Sequence, residues 1–320
     1  MPQPLGFIIK QPTIRNYHLL IKIIAMKTFS IVSILELILS LFLISCDPES
    51  NTNRIDSEFK VEFSDGTLIT EDNLLFYDSS TYLLFLKRDF DFNQTMSGFN
   101  VLVDNVTIYQ GIIYPCALSA PPPSPYYILD CFLYGNDIIE IGCYGESNNL
   151  RNDQRIISAL KNSNLLLNGI TCRIDSIKVN SLSDCSEVTC TITIKNNDNI
   201  NYYIIDAKKM GELDFNYYTG GLSFQNIDTK VNSFLRWSIS NPDFGDITIN
   251  DFSILKGGSE VTYTFKSSDY YKMDKGIYKV QFRFCGTKEN TSEFDLNQKD
   301  GRIWVGDVKA CIDSILVEKK

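Results

Sequence analysis

Apolar and polar residues alternate along most of this chain, and this two-residue period constrains the fold more than any other feature. It occurs in Phe59 to Phe63, in Asn100 to Ile108 around an Asp104-Asn105 interruption, and in Gly276 to Phe284. Successive side chains of a strand face opposite sides, so the period is typical of strands with one buried face. Gly, Pro, Asn and Asp between the runs are turn formers. The sequence therefore predicts a mainly β fold.

Further runs with the same character follow along the chain. They are Tyr82 to Leu86, Gly111 to Tyr114, Ile138 to Tyr144, Arg173 to Val179, Val188 to Ile194, Tyr202 to Ala207, Leu222 to Ile227, Phe252 to Leu255, Val261 to Lys266 and Ile303 to Val317. About seven strands in the last 150 residues or so are typical of a Greek-key sandwich. We expect two β-rich domains, at residues 59–150 and 172–320.

A short helix with its connector, residues 151–171, separates the predicted domains. Asn152 or Asp153 can cap it, and it ends between Asn164 and Gly169. Its apolar residues recur at near-helical spacing: Ile156, Ile157, Leu160 and Leu165. We interpret it as a connector packed on the first sheet; a partner-binding helix is the alternative.

The N-terminus has the composition of a signal peptide. Lys27 follows Met26, an apolar run extends from Phe29 to Leu43, and Cys46 precedes a polar stretch. The run is shorter than the roughly 20 residues of a spanning helix, and Glu36 near its middle is costly in a bilayer. Residues 1–45 are predicted to be a leader, with Met26 as the true start, and residues 46–58 a tether.

The sequence Leu-Ile-Ser-Cys that ends at Cys46 resembles the lipobox of bacterial lipoproteins. The resemblance implies a diacylglycerol on the Cys46 sulfur, cleavage before Cys46 and acylation, such as palmitate, of the new amino terminus. We expect an exported protein anchored by lipid to a bacterial membrane, at the outer membrane or cell surface. An uncleaved anchor helix is the alternative.

Removal of the leader changes the chemistry available to the chain. His18, the one histidine, lies in the leader, and so do four of the 30 basic residues and one of the 39 acidic ones, which leaves a net charge of -12. Ser-His-Asp and Cys-His catalysis, histidine-ligated metals and imidazole acid–base chemistry are therefore excluded. The acidic balance argues against nucleic acid as a partner. We predict no cofactor and no metal.

Eight cysteines follow Cys46, and an even number in an exported protein indicates disulfides. They are Cys116, Cys131, Cys143, Cys172, Cys185, Cys190, Cys285 and Cys311. Zinc is the alternative, although no Cys-x-x-Cys pair occurs. We expect Cys116 to pair with Cys131 and to fix the stiff Pro121–Pro125 segment as a protruding loop. A proline-rich crossover whose cysteines pair elsewhere is the alternative.

In the second half, Asn196-Asn197-Asp198 follows a predicted strand, Gly220-Gly221 precedes one, and Gly276 to Phe282 is the predicted penultimate strand. With this pattern the second half resembles the immunoglobulin-like domains of exported bacterial proteins. The resemblance implies a disulfide from Cys190 to that penultimate strand. The alternation, however, places Cys285 on the face of the strand opposite to Phe284. The high content of Asn, Ile and Lys and the acidic residues after Cys46 resemble the composition of surface lipoproteins of Bacteroidetes.

Four tyrosine doublets are candidates for recognition, because a strand doublet puts one ring in the core and one on the surface. Tyr126, Tyr127, Tyr217 and Tyr218 are the candidate binding residues; strand preference alone is the alternative explanation. We expect a binding or structural role, with a glycan or protein as partner. An adhesin or protease-inhibitor module that presents Pro121–Pro125 is an alternative.

Catalysis would have to use paired carboxylates, as in glycosidases. The available residues are Asp89, Asp91, Asp137, Glu140, Asp243 and Asp246, and the sequence does not indicate that any two converge. Asp89 to Asn93 and Asp295 to Gly301 resemble incomplete calcium loops, for which a polar hairpin tip is the favoured interpretation. We therefore predict no catalytic residue and a protein that is not an enzyme, with a carboxylate-based glycan hydrolase as the alternative.

Overall fold

The structure is a computed structural model that describes residues 57–92, 96–131, 133–145, 149–235, 247–287 and 300–318. The prediction of a mainly β fold is confirmed. The described residues belong to one compact unit, Asp56–Lys320. The predicted leader, Cys46 and most of the tether lie outside the described residues. Within them, no helix has the length and apolar character that a membrane span needs.

The described residues of the first half form ten strands in two sheets. Their bounds are β1 Phe59–Phe63, β2 Leu68–Thr70, β3 Leu74–Asp78, β4 Leu83–Leu86, β5 Gly98–Val103, β6 Val106–Tyr114, β7 Tyr126–Leu129, β8 Ile138–Glu140, β9 Gly142–Cys143 and β10 Leu166–Leu167. The six-stranded sheet has the order β2-β1-β5-β6-β7-β9, and the four-stranded sheet has the order β10-β3-β4-β8. Asp104 and Asn105, both with positive φ, form the two-residue turn between β5 and β6.

Strand β4 explains the unbroken apolar run from Leu83 to Leu86. Leu84 and Leu86 pack in the core of the first half, whereas Leu83 and Phe85 pack in the core of the second half. All four residues are buried, because the sheet has a hydrophobic core on each face. The two halves of the chain therefore meet at this sheet.

The predicted helix is confirmed as α1, Gln154–Asn162. The Asp153 side chain caps it by accepting a hydrogen bond from the Arg155 N–H at 3.0 Å. Ile156 and Leu160 are buried in the first core, beside β1 and β5. The helix is thus a connector packed on the first sheet, as predicted.

In the second half, the residues that the structure describes form ten strands and two short α-helices. Their bounds are β11 Ile170–Ser181, β12 Cys185–Asn196, β13 Asn201–Ile205, α2 Ala207–Met210, α3 Glu212–Thr219, β14 Leu222–Asn226, β15 Asn232–Phe234, β16 Phe252–Leu255, β17 Glu260–Tyr271, β18 Gly276–Cys285, β19 Gly301–Ile303 and β20 Asp307–Val317. The sheets have the orders β11-β12-β17, β15-β14-β18-β20 and β16-β13-β19. The first two orders are compatible with a Greek-key sandwich, and the immunoglobulin-like assignment stays a prediction.

Several short elements were missed by the two-residue pattern. Strands β2, β7 and β15 have only three or four residues, and the apolar residues of β3 are consecutive rather than alternating, so the period is not visible in these strands. A strand environment is wrong for Tyr217 and Tyr218, which lie on α3. The buried Phe215 and Thr219 of α3 are four residues apart, so they lie on one face of the helix, but eight residues give little periodicity.

A buried polar network joins the two halves beside β4. The guanidinium of Arg302 on β19 lies 2.9 Å from Asp78 Oδ2 on β3. The Tyr202 hydroxyl donates to Asp198 Oδ2 at 2.6 Å, and the same carboxylate accepts from the Gly169 N–H at 2.7 Å. Gly169 has φ +65°, and a Cβ there would lie 2.0 Å from Ser80 Oγ. The connector therefore needs glycine at this position.

Candidate functional site

A cleft of about 750 Å³ lies between residues of the first and second halves. This volume is within the range of small-molecule binding sites. Side chains that can hydrogen-bond line both walls. The first wall has Tyr82, Tyr127, Glu140, Asn149 and Arg151, and the second has Arg283, Asp307 and Lys309.

Tyr82 combines an uncommon backbone conformation with a fixed ring. Its φ is 61°, in the left-handed region that a bulky side chain rarely adopts. Its ring lies under the guanidinium of Arg151, with Cζ 3.5 Å from the ring centroid. The Asn149 amide donates to the Tyr82 hydroxyl at 3.1 Å. Backbone strain of this kind concentrates at functional sites, so the strained Tyr82 favours this cleft as the site.

Arg151 is held from several sides. Its Nε donates to Asn149 Oδ1 at 2.9 Å, and its Nη1 donates to the Ile141 carbonyl at 2.8 Å. Its own carbonyl accepts a hydrogen bond from the Tyr77 hydroxyl at 3.0 Å. Backbone, guanidinium and ring stacking thus fix the side chain in one orientation before any ligand arrives.

Tyr127 lies on the first wall of the cleft, beside Gly142. A Cβ at Gly142 would lie 2.3 Å from Tyr127 Cζ, so glycine there makes room for the ring. Burial raises the pKa of Tyr127; the charge of Glu140 raises it further and the charge of Arg151 lowers it. Both charged groups therefore lie within electrostatic reach of the phenol.

The second wall carries an ion pair. Arg283 Nε donates to Asp307 Oδ2 at 2.9 Å, and Nη2 contacts the same oxygen. Behind the pair, Tyr134 is buried; its pKa is raised by that burial and by the charges of Glu140 and Asp307. Glu140 and Asp307, from opposite walls, are therefore both within electrostatic reach of Tyr134. The exposed Lys309 is on the same face of β20 as Asp307.

The chain matches no protein-family model and no curated protein. The function is therefore inferred from the chemistry of the cleft.

The predicted site residues are only partly in this cleft. Tyr127 and Glu140 line it, whereas Tyr126 is buried behind it and accepts a hydrogen bond from the Leu150 N–H at 2.8 Å. Tyr217 and Tyr218 lie on α3, with their rings 5.3 Å apart in a T-shaped arrangement. Asp89 and Asp91 are exposed and Asp137 is half-buried, while Asp243 and Asp246 lie outside the described residues.

The two segments that resemble incomplete calcium loops lie only partly in the part of the chain that the structure describes. Asn93 of the first loop and residues 295–297 of the second are outside it. No group of three or more His, Cys, Asp or Glu side chains suited to a metal occurs among the described residues.

No disulfide joins the eight cysteines in the described residues, and the disulfide prediction stays a prediction. The Cys116 and Cys131 thiols are hydrogen-bonded to each other, and burial together with this contact raises the pKa of Cys131 to about 12. The pKa of Cys172 on β11 is likewise raised to about 12, by burial first and by the charge of Cys311 on β20 second. Cys190 is fully buried, and Cys285 Sγ lies 3.6 Å from the Thr219 carbonyl oxygen.

The Pro121–Pro125 segment connects the parallel neighbours β6 and β7. It is a crossover between parallel strands, and residues 115–121 are exposed throughout. Which cysteines pair stays a prediction. At the start of this crossover, the Tyr114 hydroxyl donates a hydrogen bond to the Ala120 carbonyl at 2.7 Å. The Cys116 N–H donates to Asp130 Oδ1 at 2.8 Å, which brings the two flanking cysteines together.

Most residues of the cleft were not among the predicted site residues. Tyr82, Asn149, Arg151, Arg283 and Asp307 come from segments separated by up to 225 positions. No local spacing connects them, and no sequence signal identifies Arg151. The positive φ of Tyr82 also has no signature in the sequence, because Gly, Asn and Asp are the residues expected there.

Proposed function

We propose that this chain is an exported lipoprotein, anchored to a bacterial membrane through Cys46, whose folded part binds a saccharide in the cleft. The observation that carries the binding role is the polar cleft with its strained, stacked Tyr82. An apolar ligand would displace the water bound to these walls and leave their polar groups without hydrogen bonds. The hydroxyl groups of a sugar can form those hydrogen bonds in place of the water. A membrane anchor would keep such a binding module at the cell surface.

The groups on the walls suit a sugar. Asn149, Glu140 and the Arg283–Asp307 pair offer donors and acceptors, and the partly exposed Tyr127 ring offers an apolar face. Aromatic rings with nearby hydrogen-bonding groups bind ligands that have both polar edges and C–H faces. A volume of about 750 Å³ is enough for two or three sugar rings.

Binding is tested with the full-length protein purified in detergent. A glycan array should retain it, and calorimetry with a retained oligosaccharide should show a loss of affinity for Tyr127→Ala of about 10-fold, from the loss of one stacked ring. Tyr217→Ala, which changes an exposed tyrosine outside the cleft, is the matched control and should leave the affinity unchanged. Equal losses for both variants, or no retention of any glycan, would overturn the binding proposal.

The anchor is tested separately. Cells that express the wild-type chain should incorporate a palmitate label into it, and Cys46→Ser should abolish this incorporation. The support for the anchor is the lipobox-like sequence at Cys46. Equal labelling of both chains would contradict the anchor and leave the cleft proposal standing.

A second function, hydrolysis of a glycan, is favoured by one observation. Glu140 and Asp307 line the same cleft from its two walls. A pair of carboxylates across a cleft is the apparatus of glycosidases. The release of reducing sugar from a bound oligosaccharide by the wild type, lost in Glu140→Gln with binding kept, would establish it. Binding without release would exclude it for that glycan.

A further inference from the structure

Among the described arginines, only Arg151 and the exposed Arg88 lack a carboxylate partner, and of these two only Arg151 lines the cleft. Arg155, Arg173, Arg283 and Arg302 each have a carboxylate within 4.0 Å. No such pair involves Arg151 within the described residues. Its contacts there are instead an amide oxygen, a backbone carbonyl and the Tyr82 ring. Its positive charge is therefore held in the cleft by neutral groups.

The donors of Arg151 are only partly used. A guanidinium has five N–H groups in a fixed fork. The described hydrogen bonds of its side chain use Nε and one N–H of Nη1. Because the side chain is already immobilised, binding of an anion to the remaining N–H groups would cost little rotamer entropy.

The cleft also carries more positive than negative charge, in a chain that is acidic as a whole. Its walls hold Arg151, Arg283 and Lys309 against Glu140 and Asp307, while the whole chain has a net charge of -9. Arg283 is neutralised by Asp307, and Lys309 is exposed on the opposite wall from Arg151. An anionic group placed in the cleft would therefore meet a cation on each wall.

We propose that the saccharide bound in this cleft is acidic, and that Arg151 binds its carboxylate. This inference rests on the proposed function and narrows the ligand to sugars that carry a carboxylate, such as uronic acids. Arginine and carboxylate pair through two parallel hydrogen bonds, which add orientation as well as affinity. The neutral hydroxyls of the same sugar remain for Asn149 and Tyr127.

The experiment is calorimetry on the full-length protein with three probes: oligogalacturonate, the same oligosaccharide with its carboxyl groups reduced to alcohols, and a sialylated trisaccharide. The wild type should bind at least one carboxylated probe. If that probe is the oligogalacturonate, reduction should weaken binding by about 10- to 100-fold, the range of a charge-assisted hydrogen bond. Arg151→Gln should lower the affinity for the carboxylated probe by about the same factor, and should lower the affinity for a reduced probe that still binds by a much smaller factor.

Two further variants keep the test decisive. Arg155→Gln removes an exposed arginine outside the cleft and should bind like the wild type. Arg151→Lys keeps the charge without the planar fork and should recover part of the affinity. If the wild type bound the oligogalacturonate and its reduced form with equal affinity, the inference would be overturned and the proposed function would stand. This comparison uses only the wild type, so it does not depend on the folding of any variant. Binding of none of the three probes would overturn the inference, and the glycan array then decides the proposed function.

Discussion

Arg302 shows how one residue connects the two halves of the fold. Its guanidinium is stacked against the rings of Phe76, Phe85 and Tyr202, with Cζ 4.2 to 4.9 Å from their centroids. Its ion-pair partner Asp78 is fully buried, and burial raises the pKa of Asp78 although Arg302 lowers it. A buried carboxylate whose partner is removed is strongly destabilising.

We therefore predict that Arg302→Met lowers the free energy of unfolding by about 3–5 kcal/mol at pH 7. Asp78→Asn combined with Arg302→Met should recover most of this loss, because the amide oxygen still accepts from Ser80 and no charge remains. Urea unfolding measures both, with Arg155→Met as the exposed control. A double variant no more stable than Arg302→Met would contradict the account.

The loss of stability caused by Arg302→Met, its deficit in free energy of unfolding, should depend on pH because Asp78 titrates. A carboxyl whose pKa is raised in the folded state favours folding where it is protonated, and this contribution is lost as the pH rises from the unfolded pKa through the folded one. Without Arg302 the folded pKa of Asp78 rises further. The deficit of Arg302→Met relative to the wild type should therefore shrink as the pH is lowered from 7 toward 5. A deficit that stays constant over this range would show that Asp78 is not its source.

The crossover from β6 to β7 is exposed to solvent over residues 115–121 and lies outside the sheets. Its proline segment contributes no ladder hydrogen bonds, and its ends are held by Tyr114, Asp130 and the Cys116–Cys131 contact. Adjacent thiols in an exported protein favour oxidation to a disulfide. A bond there would constrain a loop of about 15 residues.

We predict that the native protein contains a Cys116–Cys131 disulfide. Peptide mapping without reductant should find the two cysteines in one cross-linked species. Cys116→Ser with Cys131→Ser should lower the stability of the oxidised protein by about 3 kcal/mol. Cys143→Ser is the control, because the Cys143 thiol contacts the Gly145 carbonyl at 3.3 Å rather than another cysteine. Free Cys116 and Cys131 thiols in protein isolated from the cell envelope would contradict this prediction.

The secondary-structure elements show which features the sequence could predict and why it could not predict the others. Strands in which apolar and polar residues alternate, such as β1 and β18, and the capped helix α1 repeat a local period and could be predicted. The run in β4 predicted a buried strand but not the two cores on its faces, because that depends on chain segments more than 100 residues away. Helix α3 is too short, and its composition too mixed, to be separated from a strand.

At the scale of the whole molecule, the cleft forms where the two halves meet. Tyr82 and Arg151 come from the first half, and Arg283, Asp307 and Lys309 from the second. The sequence identified Tyr127 and Glu140 as candidates by residue type alone. It could not bring them together with Arg151, because that arrangement depends on how the turn before β4 and the segment before α1 pack against β11 and β20.

Hydrogen–deuterium exchange of the full-length protein, with and without saturating oligosaccharide from the array, tests the central claim most directly. The account predicts slower exchange at Ser79–Tyr82, at Leu150–Asn152 and at Val308–Lys309, with no change at Cys116–Ala120 of the crossover or at Tyr217–Tyr218. Protection confined to the proline crossover or to α3, with unchanged exchange around Tyr82, would contradict it.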